Sequence, residues 1–533
     1  MDVIAGLRRS VQLYPDKVAA MEGDKSWTYA EFDKRTQRLA NALTDLGLKK
    51  GDQVSILMLN GHRYLESYYG VIRAGMRVVP MNIRLAPPEI AYILENSESE
   101  AFIVDDAFAP LAVAVRQAAP ALKHLIHAGS NLKVDDPGLF LSYETLLEQA
   151  SDSFDDAKIG LQDEDLAGIF YTGGTTAKSK GVMLTQRNLV TNAYHLILGA
   201  ANPQDGMVYN QTAVYLHAAP MFHLADTAVT FAMTAAAGTH SFIPFFEPKK
   251  VLETIQAHKV TNVTLVPTMI NMMINTPGFE DYDLSTLKYI GYGASPIAPE
   301  LLKQALKTFK GTRFAQGYGQ TEASPMVSSL GTADHVAEGD AKQMKRLASA
   351  GRALIGIEVK IFDGDDKETE LGRVGEIVTR GPNVMQGYWK LPEETAEALR
   401  NGWLHTGDLG YMDEEGYIFL VDRRKDMIVS GGENVFSVEV ENVLYQHPAI
   451  LETAVIGIPS RQWGEAVHAV VVLKPNQQLT EPEVIEFCRQ HIAGYKVPRS
   501  VEFSEALPKS GAGKILKRNL RDKYWEGQGR NIN

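Results

Sequence analysis

The 533-residue chain has one cysteine, Cys488. That excludes an internal disulfide and a cysteine-based zinc cluster, and it fits a reducing compartment; a cytoplasmic enzyme is the expectation. Positive charge is also scarce: 53 lysines and arginines face 65 acidic residues, a net charge of −12. A nucleic-acid binder would carry a basic domain, so that class is disfavoured, and any anionic ligand must be held by local cations. Long apolar runs are missing too. The most apolar stretch, Thr227 to Phe246, is broken by Gly238, His240, Ser241 and Pro244, which reads as core and not as a membrane span. Arg8 and Arg9 lack a following apolar segment, so no targeting signal is expected from them. Cys488 lies in the apolar run from Val484 and is assigned to the core.

What is present is the composition of a globular enzyme, 45% hydrophobic and 22% charged, in a chain long enough for several domains. Residues 1–165 alternate helical and strand patterns. A helix is expected from Trp27 through Leu39, Leu43 and Leu46, then a strand after Gly51-Asp52. Such alternation predicts an α/β fold with parallel strands, and residues 166–330 repeat it. The polar stretch 331–347 is expected to be a mobile loop. Gly372, Gly375, Gly381 and Gly387 punctuate short β runs, which predicts a small barrel-like or distorted sheet. The charged run 422–426 precedes Gly431 and Gly432 and reads as a hinge or a solvated loop. Residues 427–533 then have the size of a small α+β domain.

The stretch Tyr171 to Gly181 reads Tyr-Thr-Gly-Gly-Thr-Thr-Ala-Lys-Ser-Lys-Gly, between two apolar segments. Glycine lets backbone approach an anion, hydroxyls and amides donate hydrogen bonds, and lysine adds charge; the alternative is a polar surface loop. It is not a Walker A loop, since neither Ser nor Thr follows a Gly-Lys pair. Four further motifs follow: Gly293-Ala-Ser-Pro, Tyr318-Gly-Gln-Thr-Glu, Gly402 to Gly410 with Asp422-Arg-Arg-Lys-Asp, and Pro508-Lys-Ser-Gly-Ala-Gly-Lys-Ile.

In this order and spacing, the five motifs resemble the class I adenylate-forming superfamily, which includes acyl- and aryl-CoA synthetases, nonribosomal peptide adenylation domains and beetle luciferases. The resemblance spans essentially the whole chain. It implies an α/β N-terminal adenylation domain (1–421) with parallel sheets and a small barrel-like part, a hinge (422–426), and a small mobile α+β C-terminal domain (427–533). The implied chemistry has two steps: a carboxylate and ATP give an acyl-adenylate and pyrophosphate, then a thiol displaces AMP.

By the same resemblance, Thr172, Thr175, Thr176 and Lys180 would hold the β- and γ-phosphates. Gly173, Ala177 and Ser179 depart there from the commonest Ser, Gly and Pro. Gly293, Ala294 and Ser295, with Gln316, Gly317, Tyr318 and Gly319, would border adenine; Thr321 would face the α-phosphate; Glu322 would bind Mg²⁺. Asp408 and Arg423 would hold the ribose, Lys425 would be the pivot, and Lys514 would enter the site for adenylation only. Gly431, Gly432 and Glu433 would line the pantetheine tunnel, with Lys496 and Arg499 as candidates for the CoA phosphate. His223 stands where amino-acid-activating relatives carry aspartate, which disfavours an α-amino acid; Asp226, one turn on, leaves open a counter-ion at that place, a cap or a solvent-facing acid. The expected partners are ATP, CoA and a small carboxylic acid, with no transmembrane segment, and a homodimer stays open. The expected acid is a fatty acid, with a hydroxycinnamate- or benzoate-type acid or a carrier-protein acceptor as alternatives. A nucleotide-binding protein without chemistry and a luciferase-like oxygenase are weaker rivals.

Overall fold

A computed structural model describes residues 1–172, 178–198, 208–295, 297–511 and 513–525. Two large sheets carry the first four-fifths of the chain. One runs in the order Gly387–Tyr388, Lys180–Thr185, Leu166–Thr172, Arg77–Pro80, Gln53–Leu57, Ser99–Val104, His124–His127 and Phe140–Ser142. It is parallel from Leu166–Thr172 onward and closes on an antiparallel edge. The other is parallel through Arg313–Gly319, Tyr289–Gly293, Asn262–Leu265, Val214–His217, Thr239–Phe242 and Val18–Glu22, with antiparallel strands at both edges.

The helices Val3–Leu13, Tyr29–Asp45, His62–Arg73, Gln186–Ile197 and Leu224–Ala235 share one apolar core with residues of both sheets. The expected helix after Trp27 starts at Tyr29. Thr28 accepts the Glu31 amide and Glu31 bonds back to Thr28, so the start is fixed by a capping box. Thr227 to Phe242 is buried apart from the half-exposed Ala235 and Ala236, consistent with a core segment.

A four-stranded antiparallel sheet follows: Glu358–Phe362, Gly375–Arg380, Leu404–Met412 and Ile418–Arg423, with register shifts near Glu376 and Leu409. The last sheet contains Glu433–Val435, Ile428–Ser430, Gly464–Leu473 and Ile450–Ser460, with Ser500–Phe503 alongside. It builds its own core with the helices Ser437–Leu444 and Glu481–Arg489. Cys488 is fully buried there, and burial pushes its thiol up to about 11. No helix among the described residues is long and apolar enough to cross a membrane.

Two expectations are corrected. Residues 331–347 are not a bare loop. They hold the helix Ala341–Leu347, capped by Asp340, and Arg346 pairs with Glu415 at 2.8 Å. The run 422–426 is not a solvated loop either: Asp422 is buried, and Asp426 pairs with Arg521 at 3.2 Å.

Candidate active site

The parallel strands of the second sheet end together, where open α/β sheets offer a crevice for ligands. A cavity of about 2020 Å³ opens there. Tyr289–Gly293 and Arg313–Gly319 pair so that Gly293 lies opposite Gly317. A Cβ on Gly293 would sit 2.4 Å from the Gly317 carbonyl oxygen, so only glycine permits this register. Ala294 turns the chain out of the strand at φ 66°. Gly293, Ala294, Ser295, Gln316, Gly317, Tyr318 and Gly319 all line the cavity.

Tyr318 is buried, and its hydroxyl donates to Asp408 Oδ2 at 2.9 Å. Asp408 faces Arg423 across the antiparallel pair of strands, with Nε 3.2 Å from Oδ1. This ties a strand of the large sheet to the small antiparallel sheet. Desolvation works against the Arg423 charge, but the Asp408 and Asp426 carboxylates outweigh it and raise the guanidinium above its ordinary value.

Thr321 and Glu322 sit in the short turn Thr321–Ala323. Glu322 Oε1 accepts from the Tyr388 hydroxyl at 2.9 Å, while Lys180 lies 5.0 Å over the Tyr388 ring. Thr172 and Lys180 are paired residues of adjacent strands. One tyrosine thus separates the candidate phosphate lysine from the candidate metal carboxylate. Thr175 and Thr176, with Gly173 and Ala177, lie outside the described residues. Among the described residues no three His, Cys, Asp or Glu side chains cluster to hold a metal. A hard oxygen donor such as Glu322 fits Mg²⁺ only where phosphate oxygens and water complete the shell.

Lys514 enters from the C-terminal part of the chain. Its loop is closed by the Ser510 amide on the Lys514 carbonyl (2.7 Å) and by Ser510 Oγ accepting the Lys514 amide (3.1 Å). The loop docks on the large sheets: Arg84 donates to the Ser510 carbonyl at 3.1 Å and Thr268 to the Gly513 carbonyl at 3.3 Å. Gly511 is needed because a Cβ would meet the Asn82 side chain at 2.2 Å. Lys514 is therefore half-buried at the cavity wall. Desolvation first, then the Arg423 charge, bring its ammonium down from 10.5 to about 7.

His223 is the N-cap of the helix Leu224–Ala235, and its Nδ1 accepts the Ala225 amide at 3.3 Å. Burial, and then the charge of Lys514, hold its imidazole down at about 4, so it is neutral near pH 7. Asp226 neither caps this helix nor faces solvent. It is fully buried, with Tyr215 Oη 2.9 Å from Oδ1 and His217 Nδ1 2.6 Å from Oδ2. His217 Nε2 lies 2.9 Å from His240 Nδ1, and His240 Nε2 lies 3.0 Å from Thr234 Oγ1. Sequence reasoning missed this array, because its members are spread over two strands and a helix. The one available signal was two histidines in short strands that are otherwise free of charge.

Lys425 lines the cavity and its carbonyl accepts from Arg521 at 3.2 Å. Gly431, Gly432 and Glu433 form an exposed turn, at φ 64° and 87° for the glycines, and do not line the cavity in this arrangement. Lys496 pairs with Glu439 at 2.6 Å, and Arg499 stacks 5.3 Å from the Trp463 ring.

The chain matches the AMP-binding enzyme model over residues 7–389 and the AMP-binding enzyme C-terminal domain over 439–514. It is 37% identical over 517 residues to a feruloyl-CoA synthase of Amycolatopsis sp., covering 97% of this chain and 98% of that one. It is 34% identical over 540 residues to a long-chain-fatty-acid–CoA ligase of Escherichia coli O157:H7, covering 96% and 93%. The solved anthranilate CoA ligase AuaEII, in complex with anthranoyl-AMP, superposes with a TM-score of 0.89 at 26% identity, covering 98% of this chain and 97% of that one. The chain belongs to the AMP-binding enzyme family, as an AMP-forming acyl-CoA synthetase.

Proposed function

We propose that the enzyme activates a fatty acid in two half-reactions at the cavity that Lys514 closes. In the first, a carboxylate oxygen attacks the α-phosphorus of ATP and the bond to the β-phosphate oxygen breaks, leaving acyl-adenylate and pyrophosphate. Negative charge accumulates on the α-phosphate and the attacking carboxylate, and a buried cation there lowers the barrier most effectively. The observation that carries this reading is the half-buried Lys514, which lines the same cavity as His223 and the Asp408–Arg423 pair. Thr172, Thr175, Thr176 and Lys180 would hold the outer phosphates, Thr321 would face the α-phosphate, and Asp408 with Arg423 would fix the ribose. Mg²⁺ on Glu322 would neutralise phosphate charge.

In the second half-reaction, the CoA sulfur attacks the acyl carbon with loss of the thiol proton, and the bond to the AMP oxygen breaks. Residues 427–533 would rotate about 422–426, with Lys425 as pivot, so that Lys514 leaves and Gly431, Gly432 and Glu433 approach the site. Residues 1–421 stay in place as the adenylation domain.

The apolar side chains Phe222, Val229 and Met326 line the cavity beside His223, which suits a hydrocarbon tail. Asp226 is engaged by Tyr215 and His217, so it is not a free counter-ion for an α-amino group. A second reading, an aromatic acid of the hydroxycinnamate type, is favoured by one feature. Tyr209 and Tyr289 stand edge to face at 5.9 Å on the cavity wall, next to the bare backbone of Gly291. The test is AMP release with Mg²⁺-ATP and CoA over acids from acetate to long-chain fatty acids, benzoate and hydroxycinnamates. Turnover peaking on fatty acids supports the first reading, and a peak on hydroxycinnamates the second. Pyrophosphate release indifferent to CoA would point to a carrier-protein acceptor.

A further inference from the structure

The helix Ser437–Leu444 starts without a cap of its own. The residue before it is Phe436, which has no side-chain acceptor for the free amides of the first turn. The acceptor comes instead from the strand Ile418–Arg423. Asp422 Oδ2 receives the Ser437 amide at 2.5 Å, and Ser437 Oγ lies 2.9 Å and 3.0 Å from the two carboxylate oxygens. Lys517 Nζ donates to Ser437 Oγ at 2.6 Å and pairs with Glu441 at 2.7 Å. An ammonium can only donate, and a serine hydroxyl has one proton, so the direction is fixed: Lys517 to Ser437, and Ser437 to Asp422. Asp422 and Ser437 are both buried.

This chain of bonds ends three residues from Lys514, because Lys517 opens the helix Lys517–Trp525 directly after the Lys514 loop. A second strut lies beside it. Arg521, on the next turn of that helix, donates to the Lys425 carbonyl and pairs with Asp426, both at 3.2 Å. Asp422 precedes the proposed pivot, whereas Ser437 and Lys517 follow it. A rotation about Lys425 that withdraws Lys514 would therefore part Asp422 from Ser437. It would leave a helix start uncapped and a carboxylate without its partners.

We propose that Asp422 and Ser437 are positioning residues for the first half-reaction: a cap that crosses the hinge and exists only while Lys514 is inserted. This rests on the reading that the C-terminal part alternates between two arrangements. Losing a helix cap of this kind weakens the capped arrangement about 3- to 30-fold. The balance should then move toward the arrangement that serves the thiol step.

The test uses Asp422→Ala, which removes the acceptor, and the milder Ser437→Ala in the full chain. Single-turnover pyrophosphate release from ATP and acid, without CoA, should fall about 3- to 30-fold. Thioester formation from preformed acyl-adenylate and CoA should hold or rise, and Ser437→Thr should restore the first step. Equal losses in both half-reactions would mean a merely structural role and would overturn the proposal; so would no loss in either. A second measurement needs no turnover. Probes on Lys367→Cys and Gln477→Cys, both exposed sites, report the distance across the hinge, since the native Cys488 is buried. Asp422→Ala should shift that distance distribution in the absence of CoA, and an unchanged distribution sinks the cap. A wild type that turns over no acid overturns the proposed function, while the distance measurement still decides on the cap.

Discussion

Nucleotide binding should draw a proton onto Lys514. In the protein alone its ammonium is brought from 10.5 down to about 7 by desolvation and by the Arg423 charge. That difference corresponds to roughly 5 kcal/mol against the charged form. One phosphate charge about 4 Å away returns about 4 kcal/mol at the effective dielectric of such sites, so ATP nearly cancels the penalty. At pH 8 about a tenth of the free protein carries the charged lysine, and binding should take up ~0.9 proton; at pH 6 the uptake should fall to ~0.1. The sign follows from the direction of the change. A group held low in the free protein and restored in the complex gains a proton on binding, so affinity weakens as pH rises from about 7 toward 10. Isothermal titration calorimetry of ATP in buffers of different ionisation enthalpy counts these protons. His223, held at about 4, stays neutral throughout and contributes nothing. Buffer-independent heats at pH 8, or the same uptake in Lys514→Gln, would refute the argument.

Lys514→Ala should lower pyrophosphate release about 10²- to 10³-fold, as loss of a transition-state donor does, and leave the reaction of preformed acyl-adenylate with CoA far less affected. Tyr318→Phe removes the 2.9 Å bond to Asp408 and should raise KM for ATP about 3- to 10-fold with little change in folding, by equilibrium denaturation. His217→Ala leaves one oxygen of the buried Asp226 unpaired, with Tyr215 still on the other. Denaturant unfolding should record a loss of about 1–3 kcal/mol. Glu322→Gln should raise the Mg²⁺ concentration needed for half-maximal pyrophosphate release.

The order of secondary structure was legible because apolar periodicity and capping residues are local. Thr28 with Glu31, and Gly293 at a crowded strand end, do their work within a few residues or one strand pairing. The motif residues were legible as an ordered set. The roles of 422–426 and of Asp226 were not, because each depends on side chains brought from far along the chain. A charged run looks the same whether water surrounds it or Ser437 and Arg521 do. Asp226 looks like a counter-ion, a cap or a solvent-facing acid until Tyr215 and His217 are seen on both of its oxygens.

The sequence by itself determined the family and the class of chemistry, since those rest on short motifs whose spacing survives any packing. Tertiary structure decided what the side chains experience. It set a lysine near 7 by desolvating it, closed Asp226 into a polar array inside the core, and ran a line of hydrogen bonds from Asp422 to the foot of the Lys514 loop. Each of these depends on desolvation and distance between segments remote in sequence, and neither quantity is written in the order of the residues.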